Sequence, residues 1–559
     1  MYPKKELAQI VISTCHQFNI DTVVISPGSR NAPLTIGFSN HPEIKALSIV
    51  DERCAAFFAL GIAQQTQKPV AIACTSGSAL LNYYPAIAEA FYSNIPLVVI
   101  SADRPAHLID IGDGQTIRQE NVFLNHILFS ANLVEDTSQR EFNINLVAEA
   151  LHIATTKKGP VHVNVPFNEP LYETVEAIDS IISSKVKQSF LQLTSSSIST
   201  NNQVNFNELR EIWNTSTKKM ILVGVHQNNH ELQQIIDNFK EDASVIVLSE
   251  ATSNLNSEGI INSIDKLIFP LSDAAFEELK PEVLITVGGM IVSKKIKQLL
   301  RKHPPKHHWH VDALKSMNTY HSLSEFIQEK PIDFLPTLPV NSASVSTYQQ
   351  QWLSIKKHRA TQHKKYVASI PFSDLKVFDE VLKSIPNNAQ LQLSNSSIVR
   401  YAQLFDVNNT LQVYCNRGTS GIDGSTSTAI GAAFAVEKQT VFITGDLSFF
   451  YDSNAMWNNY IPKNFRIILI NNGGGGIFRF IPGPKSTNAL AYFETSHQLT
   501  AAQLSKMYGL EYQPVNDFSN LKKELSVFYS ASNQPKVLEI FTDKEVNEKV
   551  LKEYFKFLK

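Results

Sequence analysis

Cysteine is scarce in this chain of 559 residues: Cys15, Cys54, Cys74 and Cys415 are the only four, and no two stand at CxxC spacing. That excludes a disulfide scaffold and a CxxC zinc or redox motif, and it fits a reducing compartment. No run approaches the 18 apolar residues of a membrane span, and the start, MYPKKELAQIVIST, lacks the apolar core of a signal peptide. The expectation is a cytoplasmic chain with no stable membrane insertion. An excess of one charge is missing as well: 50 Lys plus Arg stand against 52 Asp plus Glu, a net of -2. Such a balance gives no global field for nucleic acid. Arginine itself is rare, 12 against 38 lysines.

What is present is enough apolar sequence, 43%, to bury several cores. Through the first 170 residues, apolar runs at 21–27, 46–50, 69–75, 96–102 and 161–166 alternate with helical patterns, clearest over 51–66 and 76–93. Continuous rather than alternating hydrophobicity marks strands covered on both faces, hence parallel α/β. Residues 184–206 turn to Ser, Thr, Asn and Gln and read as an exposed linker. A second block has predicted strands at 219–225, 244–249, 283–289 and 307–312, and the Pro- and Ser-rich stretch 329–347 reads as another linker. The third block has predicted strands at 390–395, 411–416, 440–446, 465–472 and 536–542. The expected fold is α/β: three doubly wound parallel-sheet domains at 1–184, 206–330 and 348–559.

In GDLSFFYDSNAMWNNYIPKNFRIILINNGGGGIF, Asp446 ends one predicted strand and Asn472 ends the next. A right-handed βαβ crossover brings both to one sheet edge, where their hard oxygens and the carbonyls of a Gly-rich turn suit Mg²⁺. The plainer reading is a helix cap and a flexible turn. Gly418, Gly421 and Gly424 precede a small-residue helix from about Ser425, a loop that suits an anion, with Ser425 or Thr426 adding hydroxyls. Glu52 follows a predicted strand in the first turn of an apolar helix, placed for macrodipole complementation or for acid–base work. Arg30, Arg104 and Arg417 lie in loops directly after predicted strands, where a planar fork takes a carboxylate at two points or forms a structural ion pair. Arg400 stands four residues after Ser396, on the same helical face. His308 and His310 share a strand face without an evident third metal ligand.

Together these segments resemble thiamine-diphosphate enzymes of the pyruvate-oxidase and acetolactate-synthase architecture, over nearly the whole chain. Their signature is GDG followed after about 25 residues by NN; here GDL lacks the second glycine. SPGSRNAPLT, DERCAAFFALG, SADRP, NRGTSGIDGS, GDLSFFYD and NNGGGGIF are similar, in order, to the 2-succinyl-5-enolpyruvyl-6-hydroxy-3-cyclohexene-1-carboxylate synthases of menaquinone biosynthesis, a family that tolerates Leu there.

The resemblance implies a pyrimidine-binding domain, a central domain and a diphosphate-binding domain. It implies thiamine diphosphate with Mg²⁺, or Mn²⁺, held by Asp446, Asn472 and the Gly474 carbonyl. Glu52 would contact the aminopyrimidine and Ile422 would prop the cofactor in its bent form. Gly418, Gly421, Leu447, Ser448, Ile477 and Phe478 would complete the cofactor site. The substrates 2-oxoglutarate and isochorismate would meet Ser29, Arg30, Arg104, Gln115, Lys294 or its neighbour Lys295, Ser396, Arg400 and Arg417. The implied reaction is decarboxylation of 2-oxoglutarate with carboligation to isochorismate, in a homodimer or homotetramer. An acetolactate-synthase-like enzyme is the alternative. No flavin is expected in the central block, whose first strand exits through LVGVHQNNHE without GxGxxG spacing.

Overall fold

The computed structural model describes residues 1–194, 204–481 and 483–559. In chain order the strands are β1 Tyr2–Pro3, β2 Thr22–Ile25, β3 Lys45–Ser48, β4 Val70–Cys74, β5 Leu97–Asp103, β6 Phe129–Asn132, β7 Val161–Pro166 and β8 Thr174–Val175. They continue as β9 Lys219–Val223, β10 Val245–Leu248, β11 Val283–Val287, β12 His307–Val311, β13 Glu325–Ile327 and β14 Gln390–Leu393. The last are β15 Gln412–Cys415, β16 Thr440–Gly445, β17 Arg466–Asn471, β18 Glu511–Val515 and β19 Lys536–Phe541.

Three parallel sheets result, with orders β3-β2-β4-β5-β7-β6, β10-β9-β11-β12-β13 and β15-β14-β16-β17-β19-β18, besides the short antiparallel pair β1-β8. Numbered within each sheet, the first and third have the same order, 2-1-3-4-6-5. The order reverses between β2 and β4, and between β14 and β16, where an open α/β sheet leaves its ligand crevice.

The chain forms two compact units. One comprises the N-terminal stretch with Gly418–Glu437 and Ser448–Phe465; the other comprises the central and C-terminal sheets with Lys438–Leu447. In the first unit, Val23, Ala71, Val98 and Val163 join a core with the helices Glu6–Gln17, Arg140–Lys157 and Ser180–Thr194. The last of these helices corrects the linker expected from residue 184: Ile182 and Val186 are buried four residues apart on its inner face, and Phe190 packs beside them. Of that linker, residues 195–203 lie outside the described residues. The expected helix 76–93 is two, Ser78–Asn82 and Tyr84–Ser93.

The helix Glu52–Thr66 packs on the helix Ser425–Phe434, a glycine of each lying against the backbone of the other. A Cβ on Gly61 would stand 2.1 Å from the Thr428 carbonyl oxygen, and one on Gly431 2.0 Å from that of Phe58. Because both obstacles are backbone, Gly431→Ala must push the helices apart. It is expected to cost about 1–3 kcal/mol, visible as a lower unfolding temperature; an unchanged one would contradict this crossing.

In the second unit, the central sheet alternates its side chains between two cores. Ile221, Val247 and Ile285 face one way, and Met220, Ile246 and Leu284 the other. The stretch 329–347, expected to be a linker, supplies Phe334, Leu335 and Leu338 to the first of these cores through the short helix Pro331–Phe334 and the turn after it. At the switch between β9 and β11, Gly224 N–H donates to Val287 O at 2.9 Å and Gly289 N–H to Val225 O at 2.7 Å. These bonds close the crevice to about 20 Å³, room for about one water molecule.

Candidate active site

Asp446 follows β16 directly and opens the helix Asp446–Tyr451. Its carboxylate is 3% exposed. Oδ1 accepts from Leu447 N–H at 2.7 Å, Oδ2 accepts from Gly474 N–H at 2.9 Å, and His497 Nε2 lies 3.3 Å from Oδ2. The carboxylate thus ties the start of its own helix to the glycine turn after β17. Asn472, just past β17, turns its Nδ2 to Asp374 Oδ2 at 3.1 Å, which leaves its buried Oδ1 without a hydrogen-bond partner. Asp374 is itself held by Thr542 at 2.6 Å, and burial raises its carboxyl to about 6. Gly474 has φ +144°, and a Cβ there would stand 2.5 Å from Glu494 O. A buried carboxylate and an unpartnered amide oxygen facing a tight glycine turn are a donor set for a hard divalent cation.

Still in the second unit, Arg417 is 7% exposed and donates from Nη1 to Asn395 Oδ1 at 2.7 Å; its buried Nε has no partner. Arg400 donates from Nη1 to Ser396 O at 2.5 Å, so the serine and arginine four residues apart do meet, through the serine carbonyl. Ser396 holds φ +69°, a strained conformation for a residue with a side chain. Burial, then the neighbouring Arg417, pulls the Arg400 guanidinium below its ordinary range, while Asp265 works the other way. A cavity of about 470 Å³ brings Arg400 together with Lys294, Lys295 and the apolar Tyr401, Ile477 and Phe480. Both lysines line it. Phe478 rests against Phe493 at 5.2 Å. Glu250, 1% exposed, accepts from Val292 and Ser293 N–H at 2.6 and 2.8 Å and fixes the start of the helix Lys294–Lys302; burial raises its carboxyl to about 7.

In the first unit, Glu52 is half-buried and opens its helix four residues after β3 ends, with Asp51 as the N-cap; the strand is shorter than the expected 46–50. Its Oε2 accepts from Asn82 at 3.3 Å. Arg30 is buried, donating to Phe167 O at 2.9 Å and lying 3.2 Å from Glu169. Burial, then Arg104, lowers its guanidinium below the usual range. Arg104 donates to Gly114 O at 3.1 Å and lies 3.4 Å from Asp113, and its buried Nε has no partner. Gln115, exposed at φ +60°, takes the Ser76 hydroxyl on its carbonyl at 2.9 Å, and Ser29 is exposed in the turn after β2. A cavity of about 1020 Å³ beside β5, β6 and β7 is lined by Arg104 but not by Ser29, Arg30 or Gln115.

The glycine loop does attract an anion, and that anion is internal. Glu89, 1% exposed, accepts from Gly418 N–H and Thr419 N–H, both at 2.7 Å, and from the Thr419 hydroxyl at 2.8 Å. Those two amides are therefore committed to a carboxylate rather than available to a phosphate. Further along, the Ser425 and Thr426 hydroxyls are buried without partners, and Ser448 Oγ donates to Ile422 O at 3.0 Å. Gly421 is closed in by Asp423. Sequence reasoning missed Glu89, Asp374, His497 and Glu250, since each reaches its partner from a distant segment. His308 and His310 both meet the Thr286 hydroxyl, at 2.9 Å each, and burial lowers the His308 imidazole to about 4.

Comparison with known proteins bears on the whole chain. Residues 5–125 match the N-terminal TPP-binding domain of thiamine pyrophosphate enzymes, 185–393 their middle domain, and 396–540 their C-terminal TPP-binding domain. The fold and the three domain matches are those of a thiamine-diphosphate enzyme. The chain is 54% identical to the 2-succinyl-5-enolpyruvyl-6-hydroxy-3-cyclohexene-1-carboxylate synthases of Flavobacterium johnsoniae and Flavobacterium psychrophilum. It is 38% identical to that of Bacteroides thetaiotaomicron, and all three alignments cover both chains in full. It belongs to this family of synthases. Among the described residues no helix is long and apolar enough to cross a membrane.

Proposed function

We propose that the chain catalyses the thiamine-diphosphate-dependent decarboxylation of 2-oxoglutarate and joins the remaining four-carbon unit to isochorismate, releasing CO₂ and 2-succinyl-5-enolpyruvyl-6-hydroxy-3-cyclohexene-1-carboxylate. The observation that carries this reading is a pair of arginine pairs. Arg30 lies beside Arg104 and Arg400 beside Arg417, each pair mutually repelling and each with one buried Nε that has no partner. Desolvated like charges with unused N–H groups are stabilised by carboxylates, and both substrates are dianions. The apolar chamber shared by Arg400, Lys294 and Lys295 suits an acid with a carbon ring.

When bound, thiamine diphosphate supplies the carbon nucleophile and electron sink for the decarboxylation. Asp446, Asn472 Oδ1 and the Gly474 carbonyl would hold Mg²⁺ or Mn²⁺ against its diphosphate. Leu447, Ser448, Ile477 and Phe478 would wall the site, with Gly418, Gly421 and Ile422 shaping the loop beneath the cofactor. Glu52 would exchange a proton with the aminopyrimidine nitrogen. Ser29 and Gln115 would orient substrate oxygens with Arg30 and Arg104, and Ser396 would do so with Arg400 and Arg417.

The active assembly would be a homodimer or homotetramer in which Glu52 of one copy serves the cofactor held by another. Val50, Leu81 and Tyr451, all exposed near Glu52, offer an apolar rim for such a contact. The domains expected at 1–184, 206–330 and 348–559 are proposed to serve the pyrimidine, a flavin-free centre and the diphosphate, with the rest of the helix Ser180–Thr194 added to the first and the stretch 331–338 to the second.

The direct test is incubation with Mg²⁺, thiamine diphosphate, isochorismate and 2-oxoglutarate, followed by the mass of the product. If pyruvate matches 2-oxoglutarate in kcat/KM, the acetolactate-synthase-like reading replaces this one, because pyruvate would leave a desolvated cation unpaired. Arg400→Ala and Arg417→Ala should each lower kcat/KM by about 10- to 150-fold, the equivalent of one charge-assisted contact of roughly 1.5–3 kcal/mol. Steady-state kinetics with both substrates checks this, and wild-type values in either variant would remove that arginine from the site.

A further inference from the structure

In the first unit, one carboxylate that the reaction does not require gathers three segments that it does. Asp452 is fully buried. Its Oδ2 accepts from Ser427 N–H at 2.7 Å, and its Oδ1 accepts from the Ser427 hydroxyl at 2.9 Å and from the Cys54 thiol at 3.6 Å. Arg53 Nη2 lies 3.6 Å from the same Oδ1 and donates to Tyr451 O at 3.1 Å. Two residues on, Asn454 donates to Asp51 Oδ2 at 2.9 Å, while Asp51 Oδ1 caps Cys54 N–H at 3.1 Å.

These partners define what the cluster holds. Asp51, Arg53 and Cys54 flank Glu52 and form the first turn of its helix. Ser427 belongs to the first turn of the helix that follows the glycine loop, whose cap position is Gly424 and supplies no side-chain acceptor. Asp452 provides that missing acceptor from another part of the chain, immediately after the helix that Asp446 opens. Burial raises its carboxyl to about 7 while the Ser427 bonds and Arg53 pull the other way, so this is a costly place for an acid unless its geometry is used.

We propose that Asp452 is a positioning residue for Glu52: it locks the first turn of the Glu52 helix against the first turn of the helix after the glycine loop, and so fixes where the Glu52 carboxyl points. The inference rests on the reading that Glu52 exchanges the cofactor's proton. A displacement of about 1 Å at such a group is worth about 100-fold.

The test is a double-mutant cycle of Asp452→Asn with Glu52→Gln in the full-length enzyme with Mg²⁺ and thiamine diphosphate. Asp452→Asn alone should lower kcat by about 100-fold while KM for isochorismate, thiamine diphosphate affinity by calorimetry and the unfolding temperature stay near wild type. In the Glu52→Gln background the same change should cost less than about twofold, because the group it positions is already disabled. Losses that multiply through the cycle, or wild-type kcat in Asp452→Asn, overturn the proposal. A Glu52→Gln variant with wild-type turnover instead overturns the reading of Glu52 itself. Should Asp452→Asn fail to fold, Arg53→Lys keeps the charge but loses the fork between Tyr451 O and Asp452; it should follow the same pattern at smaller size, and multiplying losses there overturn the proposal equally.

Discussion

Asp446→Ala is expected to abolish detectable binding of Mg²⁺ and thiamine diphosphate in calorimetry and to lower turnover by more than about 100-fold, beyond the loss typical of an outer-shell change. Two losses combine. The proposed metal site loses its one carboxylate, and the N–H groups of Leu447 and Gly474 lose their acceptor. Each unsatisfied N–H costs about 1–3 kcal/mol, so the turn carrying the Gly474 carbonyl is expected to reorganise as the charge disappears. Asp446→Asn keeps an oxygen for one of those donors and should fall between wild type and alanine. Wild-type affinity in the alanine variant would mean that the metal is held elsewhere.

Glu52→Gln should leave the fold and thiamine diphosphate binding intact and lose about 10²- to 10⁴-fold in turnover, the range of a general acid–base group. Glutamine keeps an oxygen for Asn82, which lies 3.3 Å from Oε2, and changes only the ability to exchange a proton. The measurement is exchange of the cofactor's C2 proton followed by NMR. A wild-type exchange rate in the variant would remove Glu52 from the proton path.

Most interior strands of the three sheets were legible because burial on both faces favours runs of Val, Ile and Leu, as in β5, β9 and β17. Besides the short pair β1 and β8, the strands that escaped are β6, β13 and β18, each at one edge of its sheet. Half-covered edges such as FSAN and EYQPV carry no such run. The helix Ser180–Thr194 escaped for a related reason: serine-rich composition hid the spacing of Ile182, Val186 and Phe190. Among the candidate positions, motif spacing singled out Asp446, Asn472, Glu52 and the arginines. The groups that hold these segments are single polar residues distant in sequence, 98 positions for Asp374 from Asn472 and 329 for Glu89 from Gly418, and nothing local distinguishes them from ordinary helix residues. The glycine loop is the instructive case: its affinity for an anion was readable, but that a glutamate of the same chain already answers it was not.

The first unit's discontinuity governs how it can be made. Its helix Glu52–Thr66 leaves the ribosome more than 350 residues ahead of Ser425–Phe434, against which Gly61 and Phe58 pack. At about 5–20 residues per second that interval is roughly 20 to 70 s. Throughout it, the face that awaits Gly431 and Phe434 stays uncovered. The N-terminal sheet can assemble early, but its outer helix must be sheltered until the chain is four-fifths synthesised. A polypeptide stopped near residue 194 would expose that face permanently and is expected to aggregate rather than behave as a free-standing domain.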